Sequence, residues 1–196
     1  MKYLIVGLGN PGEEYEMTRH NAGRIAVETI RKQFEFPDWT PDKKLLALKS
    51  EGKYEGQSVT LLLPETMMNR SGKSFVGLIK SGRDAERLLV IHDDIDLPFG
   101  RFKISFNRGS GGHRGLESII KTIKTTAFLR ARIGVSPIGK KGTAKKPIGE
   151  EAIVKFILGR FRPAELVEMK KLAKEIAEAA ALWLTAGQAV AMNKFN

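Results

Sequence analysis

The feature that most constrains the fold is a short apolar run that ends in a glycine-rich polar loop. Leu4-Ile-Val6 is followed by Gly7-Leu-Gly-Asn-Pro-Gly12, and the segment continues to Thr18-Arg-His-Asn-Ala-Gly23. An apolar run that stops at glycines is typical of a buried strand. Because the loop beyond such a strand usually carries the chemistry of an α/β sheet, Asn10 and His20 are the first candidate site residues.

The glycines also satisfy the spacing of a dinucleotide-binding loop. That site needs a helix that begins within the glycines and an acidic residue after the next strand. Here Pro11-Gly12 interrupts the loop, and the next helical pattern starts only near Asn21. The glycines are therefore interpreted as a tight turn.

His20 lies between Arg19 and Asn21, immediately before a predicted helix. Histidines are often ordinary surface or core residues, but this one belongs to a polar segment. A helix N-terminus favours neutral imidazole, which can act as a base. The apolar face of the helix is formed by Ile25, Ala26, Ile30 and Phe34.

The rest of the chain alternates predicted strands with predicted helices. Apolar runs predict strands at 45–49, 57–63, 88–91, 101–106 and 128–135. Helices are predicted after a cap at Ser71, at 116–123, and from Pro163 to Gly187. Segment 139–149 is predicted to be a flexible surface loop. The pattern indicates one α/β domain over residues 1–196, with a mixed, mostly parallel twisted sheet flanked by helices.

Composition excludes several classes of site. The 196 residues include no cysteine, which removes disulfides and thiolate chemistry. The first residues do not resemble a signal peptide, and no apolar run approaches the length of a membrane span, so we expect a soluble, cytoplasmic protein.

The formal net charge of +11 is concentrated in one window. Residues 101–147 contain twelve Lys and Arg against one acid, Glu117, so the remainder of the chain is neutral in sum. A basic surface without a specific partner would give the same composition. The concentration nevertheless favours a face that binds nucleic acid.

Three strands are predicted to bring polar residues to one edge of the sheet. Asn10 and His20 follow the first strand, Asn69 follows 57–63, and Asp93 follows 88–91. An aspartate beside a histidine orients the ring of a general base. Since no serine lies in a nucleophile elbow, water would attack, with the two asparagines hydrogen-bonding a carbonyl substrate.

A metal site is the competing chemistry at this edge. His92, Asp93, Asp94 and Asp96 are possible ligands. Neighbouring residues of an extended strand point to opposite faces, and the three histidines lie far apart in sequence, so no metal is predicted.

Several segments, in this order and spacing, resemble bacterial peptidyl-tRNA hydrolase. The segments are Val6-Gly-Leu-Gly-Asn-Pro-Gly12, Thr18-Arg-His-Asn-Ala-Gly23, Met68-Asn-Arg-Ser-Gly-Lys73, His92-Asp-Asp-Ile-Asp-Leu-Pro98, Gly111-Gly-His-Arg-Gly-Leu116, Arg132-Ile-Gly134 and Phe156-Ile-Leu-Gly159. The resemblance implies a monomeric hydrolase, without cofactor or required protein partner, that cleaves the ester between a peptide and the 3′ ribose of tRNA. Its RNA contact would be the acceptor stem and the 3′ CCA end.

The resemblance also implies roles for individual residues. His20 would activate water, Asp93 would orient it, and Asn10 would help to distinguish blocked from free aminoacyl groups. The substrate-binding and tRNA-binding candidates are Tyr15, Met67, Asn69, His113, Arg114, Lys103, Arg108 and Arg132.

Two positions depart from the family pattern. Arg114 stands where the family has a substrate-binding asparagine, and Ser105 aligns with a basic residue of the phosphate clamp, for which Lys103 or Arg108 could substitute. The alternative hypothesis is an RNA-binding relative that has lost hydrolysis, as in splicing cofactors of this fold. Arg114 favours that alternative, whereas the four polar residues favour the enzyme.

Overall fold

The computed structural model describes residues 2–196, which form a seven-stranded sheet flanked by helices. The strands are β1 (Lys2–Gly7), β2 (Thr40–Asp42), β3 (Ala47–Tyr54), β4 (Gln57–Pro64), β5 (Leu88–Pro98), β6 (Phe102–Phe106) and β7 (Leu129–Ser136). Their order across the sheet is β2-β3-β4-β1-β5-β7-β6. The central four, β4, β1, β5 and β7, run parallel, and the outer strands are antiparallel to their neighbours. The predicted fold class is confirmed.

Helices cover the two faces unequally. They are α1 (Ala22–Gln33), α2 (Gly82–Ala85), α3 (Arg114–Ile123), α4 (Glu150–Ile157), α5 (Pro163–Ala186) and α6 (Gln188–Phe195), with 3-10 helices at Arg19–Asn21, Met68–Phe75 and Lys140–Gly142. One core lies under α1 and α5, and a smaller core lies under α3 and the Met68–Phe75 helix. None of the helices within residues 2–196 is long and apolar enough to span a bilayer.

Most predicted elements are found, with shifted ends. The predicted strand 45–49 begins two residues later and continues to Tyr54, and the strand at 88–91 continues to Pro98. The predicted helix after Ser71 is wrong. Ser71 lies inside the 3-10 helix, where its Oγ donates to the carbonyl O of Met68 instead of capping a new helix. Segment 139–149 is mostly exposed, as predicted, but includes a 3-10 turn.

Two glycines, Gly7 at the end of β1 and Gly23 at the start of α1, let the two backbones approach each other closely. A Cβ at Gly7 would lie 2.5 Å from the carbonyl O of Gly23. A Cβ at Gly23 would collide with the carbonyl O of Ile91 in β5 and lie 2.7 Å from the amide of Leu8. Gly12, with φ of 109°, is the residue that supports the predicted tight turn. The crossing of β1, α1 and β5 therefore places His20 beside β5.

Candidate active site

A cavity of about 930 Å³ opens at the carboxyl ends of the parallel strands. Asn10 follows β1, Asn69 follows β4, and Asp93 lies in β5; all three line the cavity together with His20. The predicted convergence of these four residues is confirmed. It follows from the parallel, adjacent arrangement of β4, β1 and β5, which brings their carboxyl ends to one edge.

Asp93 is shared by two imidazoles. Nδ1 of His20 lies 2.9 Å from Oδ1 and 3.0 Å from Oδ2 of Asp93, and Nε2 of His113 lies 3.0 Å from Oδ1. Only 3% of the Asp93 side chain is exposed. Burial by itself would raise the pKa of Asp93, but His20 and His113 outweigh it and hold that pKa well below its usual range. The carboxyl is therefore an anion that only accepts hydrogen bonds.

The hydrogen bonds determine which ring nitrogen of each histidine carries the proton. Since Asp93 only accepts, Nδ1 of His20 donates, and Nε2 keeps a free lone pair. His113 is the N-cap of α3, where its Nδ1 accepts from the amide of Leu116 at 3.3 Å. Nε2 of His113 therefore carries the proton and donates to Asp93. The arrangement leaves His20 Nε2 as the available base.

The same network argues against a metal ion at this cluster. The ligand atoms of His20, Asp93 and His113 lie within 4.8 Å of one another, although the histidines are distant in sequence. Ligation through Nε2 of His113 would require that nitrogen to lose its proton while Nδ1 still accepts from Leu116. Neutral imidazole cannot do both, since it has one acceptor nitrogen. The residues fit a hydrogen-bond network better than a metal site.

His92 is a neutral neighbour of this network. Its Nδ1 donates to the carbonyl O of Asp93 at 2.7 Å, and its buried Nε2 has no hydrogen-bond partner among residues 2–196. Burial and the nearby His113 hold the pKa of His92 well below its usual value. Its ring centroid is 4.8 Å from that of His113, with the planes at 65°. His92 therefore packs against the ring of His113 and supports its position.

Asn10 is fixed by the loop around it. Its amide donates to Oδ1 of Asn21 at 2.8 Å, and Nδ2 of Asn21 donates back to the carbonyl O of Asn10 at 2.9 Å. Oδ1 of Asn10 accepts from the amide of Met68 at 2.8 Å. Because this oxygen is engaged, Asn10 can offer its Nδ2 group to an acceptor in the cavity. Met67 and Asn69, on either side of Met68, are exposed and also line the cavity.

The two arginines of β7 differ in their surroundings. Arg132 is half-buried, and its Nε donates to Asp94 at 2.7 Å, which leaves its terminal nitrogens available. Arg130 is buried; it donates to the carbonyl O of Gly109 at 2.6 Å and to that of Arg108. Burial and the charge of Arg132 lower the pKa of Arg130 to about 10. Arg130 thus holds the glycine-rich loop that leads to His113.

Comparisons with known proteins agree over nearly the whole chain. The sequence model of the peptidyl-tRNA hydrolase family matches residues 4–196. A peptidyl-tRNA hydrolase from Syntrophotalea carbinolica is 38% identical over 194 residues, which is 98% of this chain and 96% of that protein. One from Herpetosiphon aurantiacus is 40% identical over 99% of this chain and 90% of that protein.

The chain belongs to the peptidyl-tRNA hydrolase family. The crystal structure of the peptidyl-tRNA hydrolase from Acinetobacter baumannii superimposes with a TM-score of 0.86 at 36% identity, covering 99% of this chain and 94% of that one. The shared fold thus places the cavity on a peptidyl-tRNA hydrolase scaffold.

Not every site residue predicted from the sequence lies at the cavity. Within residues 2–196, Tyr15 and Lys103 are absent from its lining. Tyr15 lies in the loop between β1 and His20, and Lys103 is exposed on β6 opposite Arg132. The residues that do line the cavity are Asn10, His20, Met67, Asn69, Asp93, Arg108, His113, Arg114 and Arg132.

One wall of the cavity was missed by the sequence analysis. Helix α4 contributes Glu150, Ile153, Val154 and Ile157 to the lining. The signal was present, because acids at 150 and 151 suit a first helical turn and the apolar residues follow at helical spacing. Arg114, at the start of α3, pairs with Glu150 of this wall, so its guanidinium is directed to α4 and not to His20.

Proposed function

We propose that this protein hydrolyses the ester between a peptide, or an N-blocked aminoacyl group, and the 3′ ribose of tRNA. The observation that carries the proposal is the buried contact between His20 and Asp93, which leaves Nε2 of His20 free in a cavity that two asparagines share. A fixed tautomer with one free nitrogen is what a general base requires.

The reaction follows from these positions. Nε2 of His20 takes a proton from water, and the resulting hydroxide attacks the ester carbonyl carbon. The charge that develops on the imidazole is stabilised by Asp93, and the oxyanion accepts hydrogen bonds from the amides of Asn10 and Asn69. The imidazolium then returns the proton to the leaving ribose oxygen. No step requires a cofactor.

The basic window supports tRNA as the carrier of the ester. Ten of its twelve cations are exposed, and Arg108, Arg114 and Arg132 line the cavity. Phosphates of the acceptor stem would neutralise these charges while the CCA end enters the cavity. We propose that Lys103, which is exposed beside Arg132, makes a further contact with the phosphate backbone of the tRNA near the cavity.

The test is hydrolysis of N-acetylaminoacyl-tRNA compared with free aminoacyl-tRNA. We expect turnover of the blocked substrate and little of the free one, with loss of turnover in His20→Ala. An RNA-binding relative without activity would bind both tRNAs and hydrolyse neither. That alternative gains nothing from Arg114, because the Arg114 guanidinium is paired with Glu150 and makes no hydrogen bond to the His20–Asp93 pair within residues 2–196.

A further inference from the structure

Helix α4 forms a wall of the active-site cavity with little burial of its own. None of the eight residues Glu150–Ile157 is buried, although Ile153, Val154 and Ile157 line the cavity. A short helix is marginal in water without tertiary contacts. The position of α4 therefore depends on what holds its two ends.

The carboxyl-terminal end is held by Arg19, the residue before the proposed base. The Arg19 guanidinium donates to the carbonyl O of Phe156 at 3.4 Å and of Gly159 at 3.3 Å, and lies 4.6 Å from the ring centroid of Phe156. It also pairs with Glu165 at 3.1 Å, and both side chains are mostly buried, at 13% and 16% exposure. This end is fixed.

The amino-terminal end is held by an exposed ion pair. Glu150 pairs with Arg114, and their side chains are 57% exposed for Arg114 and 77% exposed for Glu150. The preceding Gly149 has φ of 90°, and a Cβ there would meet no atom within 4 Å. Exposed ion pairs contribute little to stability, so this end can be released at small cost.

We propose that Glu150 competes with a tRNA phosphate for Arg114, and that the exchange frees the amino-terminal end of α4. The inference rests on the proposed function. Arg114 lines the same cavity as Arg108 and Arg132, so a phosphate that enters there is attracted by several cations, whereas Glu150 engages one. Guanidinium groups bind phosphate in a bidentate manner. Glu150 would thus lower tRNA affinity and hold the amino-terminal end of α4 against the start of α3 until tRNA arrives.

The proposal predicts a specific pattern in a double-mutant cycle. The dissociation constant of uncharged tRNA is measured for the wild type, Glu150→Gln, Arg114→Asn and the double variant. We expect Glu150→Gln to tighten binding about threefold and Arg114→Asn to weaken it about threefold. The double variant should match Arg114→Asn, because Glu150 acts only through Arg114. If Glu150→Gln tightens binding equally in both backgrounds, the proposal is wrong.

A charge reversal separates the effect of the ion pair on α4 from the phosphate contact. Arg114→Glu with Glu150→Arg restores the ion pair but places an acid at the phosphate position. Hydrogen exchange in the first turn of α4 should rise in either single neutralisation and return to the wild-type level in the reversal, while tRNA binding stays weak. Exchange unaffected by any of these changes, or strong binding by the reversal, would overturn the proposal.

The matched control is Glu168→Gln, which breaks an exposed pair with Lys171 on α5 and makes the same change in net charge. It should leave tRNA binding unchanged; equal tightening would show a general charge effect and refute the role of Glu150. Binding of uncharged tRNA does not require hydrolysis. Turnover of N-acetylaminoacyl-tRNA, measured separately, therefore tests the proposed function without testing this exchange.

Discussion

The buried cluster around Asp93 and the basic window differ in how their charges are balanced. In the cluster, the Asp93 anion already accepts hydrogen bonds from His20 and His113, and all three side chains are at most 9% exposed. In the window, most cations are exposed, and the ion pairs that Arg114 and Lys146 form with acids are exposed as well. The groups of the proposed chemical step are thus already hydrogen-bonded, whereas the proposed RNA-binding surface keeps exposed positive charge that phosphates would neutralise.

Removal of the proposed base should have the greatest effect on catalysis. His20→Ala should lower kcat by about 10²–10⁴ while leaving the affinity for tRNA unchanged, because it deletes a base but no cationic contact. Single-turnover hydrolysis and equilibrium binding of the same tRNA measure the two quantities. Near-full turnover in the variant would remove His20 from its role.

Removing the orienting anion should cost less. Asp93→Ala retains the His20 imidazole, so we expect a loss of kcat smaller than that of His20→Ala and again little change in tRNA affinity. The comparison requires both variants in one assay at saturating substrate. A larger loss than that of His20→Ala would give Asp93 a function beyond orientation.

The binding surface should respond in the opposite way. Arg132→Gln should weaken tRNA binding, reduce the slope of log affinity against log salt by about one unit, and leave kcat at saturation nearly unchanged. Lys103→Gln tests the second proposed contact in the same titration. Lys171→Gln on α5 is the control, with the same loss of charge outside the window. An unchanged slope for Arg132→Gln would move the RNA face elsewhere.

His113 allows a sharper division within the cluster, because it both caps α3 and donates to Asp93. His113→Asn can preserve the cap and lose the contact with Asp93, whereas His113→Ala loses both. We expect each to lower kcat by roughly tenfold, the value of one hydrogen bond to a charged group, and only the alanine variant to lose the stability of the cap. Thermal unfolding and kcat together check this. Equal stability of the two variants would remove the capping role.

The smallest effect concerns His92. Because the pKa of folded His92 lies below the ordinary 6.5 of the unfolded chain, its stabilising contribution is complete above that pH and lost as the pH falls below it. Between pH 7.5 and 5.5, the wild type should lose more unfolding free energy than His92→Phe, because the unfolded wild-type chain gains a proton at this position. Denaturant titrations at both pH values measure the difference. Equal losses would show that His92 titrates normally.

The sequence predicts the parts of this molecule that rest on local patterns. Apolar runs ending in polar loops correctly indicated the parallel sheet and the convergence of Asn10, His20, Asn69 and Asp93. That convergence follows from the parallel pairing of β4, β1 and β5, which brings their carboxyl ends to one edge of the sheet.

The failures involve contacts between segments far apart in the chain. The bond between His113 and Asp93 spans 20 residues and depends on how α3 begins. The Arg114–Glu150 pair depends on α4, which went unrecognised in a basic, glycine-rich stretch. Ser71 has the composition of a helix cap, but the following residues form a 3-10 helix packed on α3. Tertiary packing overrode local propensity there.

Gly23 lets backbone contacts, instead of side-chain contacts, set the spacing of the proposed active site. The distance between His20 and Asp93 is set by three backbone segments in direct contact, since Gly23 lies against Leu8 and the carbonyl of Ile91. Side chains around the cavity, including that of Arg114, take no part in these backbone contacts and can change without altering that distance. A substitution around the cavity can therefore alter which substrates bind while the distance between His20 and Asp93 stays the same.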